Sequence, residues 1–432
     1  MSAPVARAVR VEKALALLPK LEATAPLRAL LVSISRPDER ALWSSSGPYL
    51  TLGKRGVQPD ELARRIPEAF QRITDQLQGL YQAYVEALEC EQRADGAGSA
   101  VALLRAGRLE EDVGRLSQAR AWYDVARGVS ETLQDRRPEV ESLRALGRLS
   151  LALEEYGDGA RHFQRALALG EAEFDQAGAI AACEGLGDAA LGQSEWSGAD
   201  AWYAKGLRLA EASDDWRAIG RLERSLSVLS SRRGDLAMAS DHLRRARERF
   251  EAAGPPEEMA RVLSAQGQLE MQMGRGAAAG TAYREALAWA QRAPPDLGLE
   301  LLIRLGLAEL LLEANRFLEA EEEMRRAEQV AIAGNFTRRL VQVYTLMGRL
   351  RGRQHDETGF VFFEQAIELC RTLECSPSTE GHVYLEYGRF RESVDQMEEA
   401  RAYLERAREI FTAAGETGER ELAEAALQKM SA

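Results

Sequence analysis

A small residue, a bulky one four positions later and a second small one three further on recur eight times along this chain. Ala119–Tyr123–Ala126, Gly159–Phe163–Ala166, Ala199–Tyr203–Gly206 and Ala239–Leu243–Ala246 are followed by Ala279–Tyr283–Ala286, Ala320–Met324–Ala327, Gly359–Phe363–Ala366 and Ala400–Leu404–Ala407. Successive copies start 40, 40, 40, 40, 41, 39 and 41 residues apart. Offsets of 0, +4 and +7 lie on one face of a 3.6-residue helix. The small members admit a neighbouring helix closely, and the bulky member fills the space between. A self-similar period of this length means stacked supersecondary units and overrides the usual expectation of several globular domains for 432 residues.

A second register precedes the first. Twelve residues before the leading small residue stand Gly107, Gly147, Gly187, Ser227, Gly267, Ala308 and Gly388, while in the seventh copy Met347 takes the place with Gly348 beside it. Each unit therefore carries an earlier helix that also tolerates only a small side chain at a close crossing. Turn signals such as "EYGDGA", "SRRGDLAMA" and "EANRFLEA" separate the two helices. The unit reads as helix, tight turn, helix, short connection.

The pattern in "LRALGRLSLALEEYGDGARHFQRALAL" resembles the tetratricopeptide repeat (TPR), over residues 100–414. The period of about 40 exceeds the usual 34 and looks like the longer variant of kinesin light chains, spindle-orientation adaptors and peptide-responsive bacterial regulators. The proline that closes most such repeats is largely absent, with Asp or Gly in its place ("EASDDW", "TAAGET"). The resemblance implies an all-α, right-handed α-solenoid of helix-turn-helix hairpins, with a concave groove lined by the first helices. One hairpin cannot bury its own apolar face, so stability comes from stacking. Residues 415–432 contain "GERELAEAALQKM", a capping helix for the exposed end. Residues 59–99 read as a helical N-terminal cap or degenerate repeat, with Ala87 about 40 positions before Ala126. Residues 1–58 form a basic, partly irregular N-terminal extension.

That extension holds nine Lys/Arg against four Asp/Glu, a net +5, and leaves −17 on the remainder of a chain whose total is −12. An acidic body disfavours nucleic acid, whose phosphates dominate affinity. No run of 18 apolar residues predicts membrane insertion. Charges at Glu12 and Lys13 break any signal-peptide core. Four scattered cysteines, Cys90, Cys183, Cys370 and Cys375, suit a reducing, cytoplasmic setting.

Chemistry-bearing motifs are sparse. "GPYLTLGKRG" (Gly47–Gly56) approaches a phosphate loop, but Gly47 and Gly53 enclose five residues instead of four and Arg55 stands where the metal-ligating Ser/Thr belongs. Pro48 also removes a backbone donor. His162, His242, His355 and His382 show no metal spacing, and the first two occupy the position of Trp122 and Trp202, which marks them as packing residues. Cys370 and Cys375 sit near a helix end, close enough in sequence to meet, although idle thiols are the simpler reading. "WSSSG" lacks the first glycine of a nucleophile elbow. These features predict no enzyme, no cofactor and no metal; an enzymatic alternative would centre on residues 27–58 and need Trp43, Lys54 or Arg55.

Function is then sought in the groove. Positions three and six before the recurrent glycine, and the one after it, are expected to face inward. They place Arg108, Arg144, Arg148, Arg221, Arg224 and Arg261 in repeats one to five, with Tyr344 and Arg389 in later repeats. Repeats six to eight read as more apolar and aromatic, with Leu302, Leu305, Val341, Tyr344 and Leu385. Arginine forks suit carboxylates and phosphates, so the expected partner is another protein presenting an extended segment, acidic toward repeats one to five and apolar toward six to eight. Alternatively, the arginines pair with Glu141, Glu184 and Asp188 of adjacent helices. The chain reads as a non-catalytic interaction scaffold or adaptor. The rival is a sensor of a peptide or small ligand acting through a partner protein, since no DNA-reading helix-turn-helix is attached. Oligomeric state is not encoded in any of these features.

Overall fold

The computed structural model describes residues 79, 82, 83, 86, 87 and 90, and residues 96–430 except 113–115, 174, 252–253, 335, 374 and 416. The Gly47–Gly56 loop and the rest of the 1–58 extension lie outside the described residues. Seventeen α-helices and no strand occur among them. In chain order they are α1 (Gly96–Asp112), α2 (Leu116–Leu133), α3 (Arg136–Ala152), α4 (Tyr156–Ala172), α5 (Gln176–Gly192), α6 (Trp196–Ala212), α7 (Trp216–Arg232), α8 (Leu236–Glu251) and α9 (Pro256–Gln272). Then follow α10 (Gly276–Ala290), α11 (Leu297–Glu313), α12 (Phe317–Ala333), α13 (Thr337–Arg353), α14 (Gly359–Leu373), α15 (Pro377–Ser393), α16 (Met397–Ala414) and α17 (Thr417–Lys429). Contacts divide the chain within α7 into two compact units, residues 1–218 and 219–432.

In the first unit the hairpins are α1/α2, α3/α4 and α5/α6. The small–bulky–small triad is its core: Ala119, Tyr123 and Ala126 on α2 and Ala199 and Tyr203 on α6 are fully buried. Each bulky ring lies on the glycine of its own first helix. A Cβ on Gly147 would meet the Phe163 ring at 2.7 Å, inside any permitted contact. Ala83 and Ala87 belong to the same apolar cluster as Leu104 and Tyr123.

In the second unit the same construction runs through α9/α10, α11/α12, α13/α14 and α15/α16, with most of α7 and all of α8 ahead of them. Tyr283 seats against Gly267 of its own repeat and Gly306 of the next, so one ring fixes two first helices. Helix α17 packs Ala423, Ala426 and Leu427, with Met430 just beyond it, against Leu385, Leu404 and Phe411.

The turns are equally regular. Between the two helices of a repeat one residue adopts the left-handed conformation: Glu154, Ser194, Gly234, Gly274, Asn315, His355 and Asp395, with φ between 52° and 82°. The next N–H donates to the carbonyl five residues back, as Glu155 to Ser150 at 2.8 Å and Gln396 to Arg391 at 3.0 Å. This closure satisfies carbonyls that a helix end leaves open.

The structure corrects one register. In the seventh repeat the ring of Phe363 covers Gly348, not Met347. Helix α13 is thus turned by one residue relative to the twelve-residue offset, which buries Val341 and Tyr344 and turns Gln342, Thr345 and Arg349 outward.

Candidate functional site

The first helix of each hairpin presents its polar stripe where the core stripe ends. In the first unit Arg108 on α1 pairs with Glu141 on α3, and Arg148 on α3 lies 3.9 Å from Glu111 on α1. The two contacts cross the same helix boundary in opposite directions. Glu111 also accepts the Tyr123 hydroxyl at 2.6 Å, so the core ring and the surface arginine share one carboxylate. Burial and that carboxylate drive the Tyr123 phenol well above its ordinary pKa. Asp188 on α5 similarly accepts the Tyr203 hydroxyl at 2.6 Å. Arg144 on α3 and Glu184 on α5 are half-buried on the same stripe.

In the second unit Arg221 and Arg224 occupy α7, both half-buried. Arg261 on α9 donates to Asp296 at 2.6 Å, ahead of α11. The densest group surrounds Arg349 on α13. Its guanidinium reaches Glu309 at 3.2 Å and Glu313 at 2.8 Å on α11, and Glu386 at 3.3 Å on α15. Desolvation pulls its pKa down, but the three carboxylates together outweigh it and hold the guanidinium above the ordinary arginine value. Glu386 also receives Arg389 at 2.6 Å, and Arg353 reaches Glu313 at 3.2 Å. Glu313, Arg349, Arg353, Glu386 and Arg389 line an open cleft of about 800 Å³ together with Leu422, Ala425 and Lys429 of α17. Lys429 bonds Glu392 at 2.9 Å.

The sequence-expected residues therefore fall into two classes. Arg108, Arg148, Arg261 and Arg389 reach the surface stripe and are ion-paired there; Arg144, Arg221 and Arg224 sit half-buried along it. Tyr344 is 4% exposed and its hydroxyl bonds Glu328 at 3.2 Å, so it is core with a polar tip. Leu305 and Leu385, at 8% and 1% exposure, are core as well. Of the apolar lining expected in repeats six to eight, Leu305, Val341, Tyr344 and Leu385 are interior and Leu302 is half-buried, while Arg349, Arg353, Arg389, Glu309, Glu313 and Glu386 form a lattice on the outer stripe. Sequence reasoning missed Arg349 because it counted from Met347; the neighbouring Gly348 was the signal for the correct register.

The histidines serve packing and pairing. His242 Nδ1 lies 2.6 Å from the buried Glu223, and burial lowers the His162 pKa. Among the described residues no group of three or more His, Cys, Asp or Glu is arranged to hold a metal ion, and no helix is long and apolar enough to cross a membrane.

No protein-family model and no curated protein matches this chain. Solved structures do. The apo form of the quorum sensor NprR from B. thuringiensis aligns over 86% of this chain and 99% of its own, at 14% identity and TM-score 0.52. The Rap conjugation gene regulator of the plasmid pLS20, solved in complex with the Phr* peptide, aligns over 86% of this chain and 90% of its own, at 12% identity and TM-score 0.51. The fold is that of TPR-type helical repeats. In this fold the small–bulky–small triad and the first-helix glycine are buried between helices, and the first helices carry a polar stripe beside that packing face.

Proposed function

We propose that this TPR-type chain is a non-catalytic interaction module that holds an extended segment of another protein along the polar stripes of its first helices. The stripe of the first unit is Arg108, Arg144 and Arg148 with Glu111 and Glu141; that of the second includes Arg221, Arg224, Arg261, Arg349 and Arg389. The observation that carries this reading is the Arg349 lattice. A guanidinium has five donors, and among the described residues Arg353 and Arg389 each make a single ion pair while lining an open cleft. Paired charges of this kind keep the empty surface satisfied and present an alternating register that a polar, partly acidic segment can match without leaving a buried charge unpaired. A cytoplasmic setting fits this reading.

The second reading is a regulator that responds to a peptide through a partner protein. The likeness to the quorum sensor NprR and to the peptide-bound Rap regulator favours it. So does the construction of the stripes, because the pairs Arg108–Glu141 and Arg349–Glu309 join successive repeats and would rearrange if the repeats shifted.

Both readings are tested by pull-down from the native cell, comparing the wild type with Arg144→Glu/Arg148→Glu/Arg224→Glu and with Arg349→Glu/Arg389→Glu. A protein lost from either variant, and then bound directly with at least about tenfold weaker affinity by that variant, supports the module. Identical partner sets from folded variants exclude the stripes. Small-angle scattering of the complex separates the two readings: compaction identifies a regulator and an unchanged profile a scaffold.

A further inference from the structure

The turns α2–α3, α4–α5, α6–α7 and α12–α13, each joining one repeat to the next, share a single closure. The N–H of Asp135 donates to the Ser130 carbonyl at 3.0 Å, Asp175 to Gly170 at 2.8 Å, Asp215 to Ala210 at 2.9 Å, and Phe336 to Ala331 at 2.8 Å. In each of these pairs the residue at the helix end is small. The residue five positions on is Asp in three of the four, and Asp175 caps the following helix by accepting the Gly178 N–H. At the α14–α15 turn the same closure runs from the N–H of Cys375 to the carbonyl of Cys370 at 3.0 Å, and both ends of the hydrogen bond carry a thiol. The capping duty there has moved to Ser376, whose hydroxyl accepts the Thr379 N–H at 3.3 Å.

We propose that Cys370 and Cys375 form a redox modification site, a dithiol that a hydroperoxide converts to an intramolecular disulfide across this turn. Two Cα atoms linked through a 3.0 Å N–H···O contact cannot stand more than about 7 Å apart, given backbone bond lengths. A disulfide bridges Cα separations of about 4.4–6.8 Å. In this type of helix ending the side chains at the two bonded positions frequently pack against one another. Cys375 is partly exposed and meets the oxidant, whereas Cys370 is 4% exposed.

The chemistry balances in two steps. The Cys375 thiolate attacks the peroxide, forming a sulfur–oxygen bond, breaking the oxygen–oxygen bond and releasing an alcohol or water; Cys375 is oxidised to the sulfenic acid. Cys370 then attacks that sulfur, the sulfur–sulfur bond forms, and hydroxide leaves with the Cys370 proton as water. Two electrons pass from the two thiols to one peroxide, and a dithiol reductant reverses the result. Cys183 is an internal control: it is fully buried, and burial pushes its pKa up to about 11, which withholds the reactive thiolate.

The test uses the full chain and hydrogen peroxide, followed by alkylation, tryptic digestion and mass spectrometry. Arg371 lies between the two cysteines, so the disulfide joins peptide 354–371 to peptide 372–389. That linked pair is expected in the folded protein, lost on reduction, absent in Cys375→Ser and in Cys370→Ser with unchanged far-ultraviolet circular dichroism. It should form at least about tenfold faster folded than in urea, because the turn holds the thiols together. Equal rates in urea, a link from Cys375 to Cys90, or over-oxidation of Cys375 with Cys370 still alkylatable would each overturn the assignment.

Discussion

Gly267 on α9 lies directly beneath the ring of Tyr283 on α10, so close that a Cβ there would stand 2.8 Å from Cε1 and Cζ. The Tyr283 side chain is 1% exposed and also touches Gly306 of the following repeat, so the ring has no direction in which to retreat. Gly267→Ala is therefore expected to destabilise by about 1–3 kcal/mol through overpacking, although alanine is the better helix former. Gly128 on α2, where an added methyl would meet no atom within 4 Å, provides the contrast: Gly128→Ala should stabilise by about 0.5–1 kcal/mol. Urea midpoints of the two variants decide it. A neutral Gly267→Ala would mean the ring does not fix the helix crossing.

The left-handed turn residues supply a prediction of opposite sign. Glu154 and Ser194 hold φ of 63° and 60° at positions where Gly234 and Gly274 hold 82° and 71°. A side chain with a Cβ pays about 1 kcal/mol or more for that conformation. Glu154→Gly and Ser194→Gly should each stabilise by roughly 0.5–1 kcal/mol and so raise the melting midpoint, and Gly234→Ala should destabilise by a similar amount and lower it. A fall in both glycine variants would show that contacts of the Glu154 and Ser194 side chains outweigh the backbone cost.

How far all this was legible in the chain can be judged residue by residue. The triads were plain because packing between helices leaves little latitude: Ala239, Ala246, Ala320 and Ala327 are all fully buried, and each position rejects a larger side chain by steric overlap. The turn conformations were not, since Glu, Ser, His and Asp occupy several left-handed positions and no residue type announces them. Arg349 shows a third case. Its identity was visible, but its outward direction depended on Phe363 choosing Gly348 over Met347, a packing decision made in three dimensions. Long charged side chains add a further obstacle. Arg108 pairs with Glu141, the alternative to a free groove arginine, and Asp188 accepts the hydroxyl of Tyr203.

Buried phenols make the fold sensitive to alkali. Burial lifts the Tyr283 and Tyr387 phenols above the ordinary tyrosine value near 10, Tyr387 to about 12, with Tyr123 also raised. A raised folded-state pKa contributes stability that is complete below the unfolded value and is lost as pH rises through the folded one. Stability should hold up to about pH 10 and decline above it. Tyr283→Phe, which keeps the ring on Gly267, should flatten that decline. Tyrosinate absorbance rising well before helix content falls would contradict the burial assigned to these rings.

Arg349 provides the last prediction, because its three carboxylates come from two neighbouring first helices. Its side chain is 24% exposed and Glu386 is 16% exposed, so the group is only partly screened by water. Removing one partner from a partly buried ionic group leaves the others uncompensated. Arg349→Met should cost about 2 kcal/mol, and more at low salt than at high salt, since screening weakens a charge network but not the packing of the side-chain stem. Arg349→Met/Glu386→Gln should recover part of the loss, because it deletes an orphaned charge together with its partner. Urea midpoints at two ionic strengths measure both effects. A single variant whose cost is the same at every salt concentration would assign Arg349 to packing alone and remove the ionic lattice as the link between α11, α13 and α15.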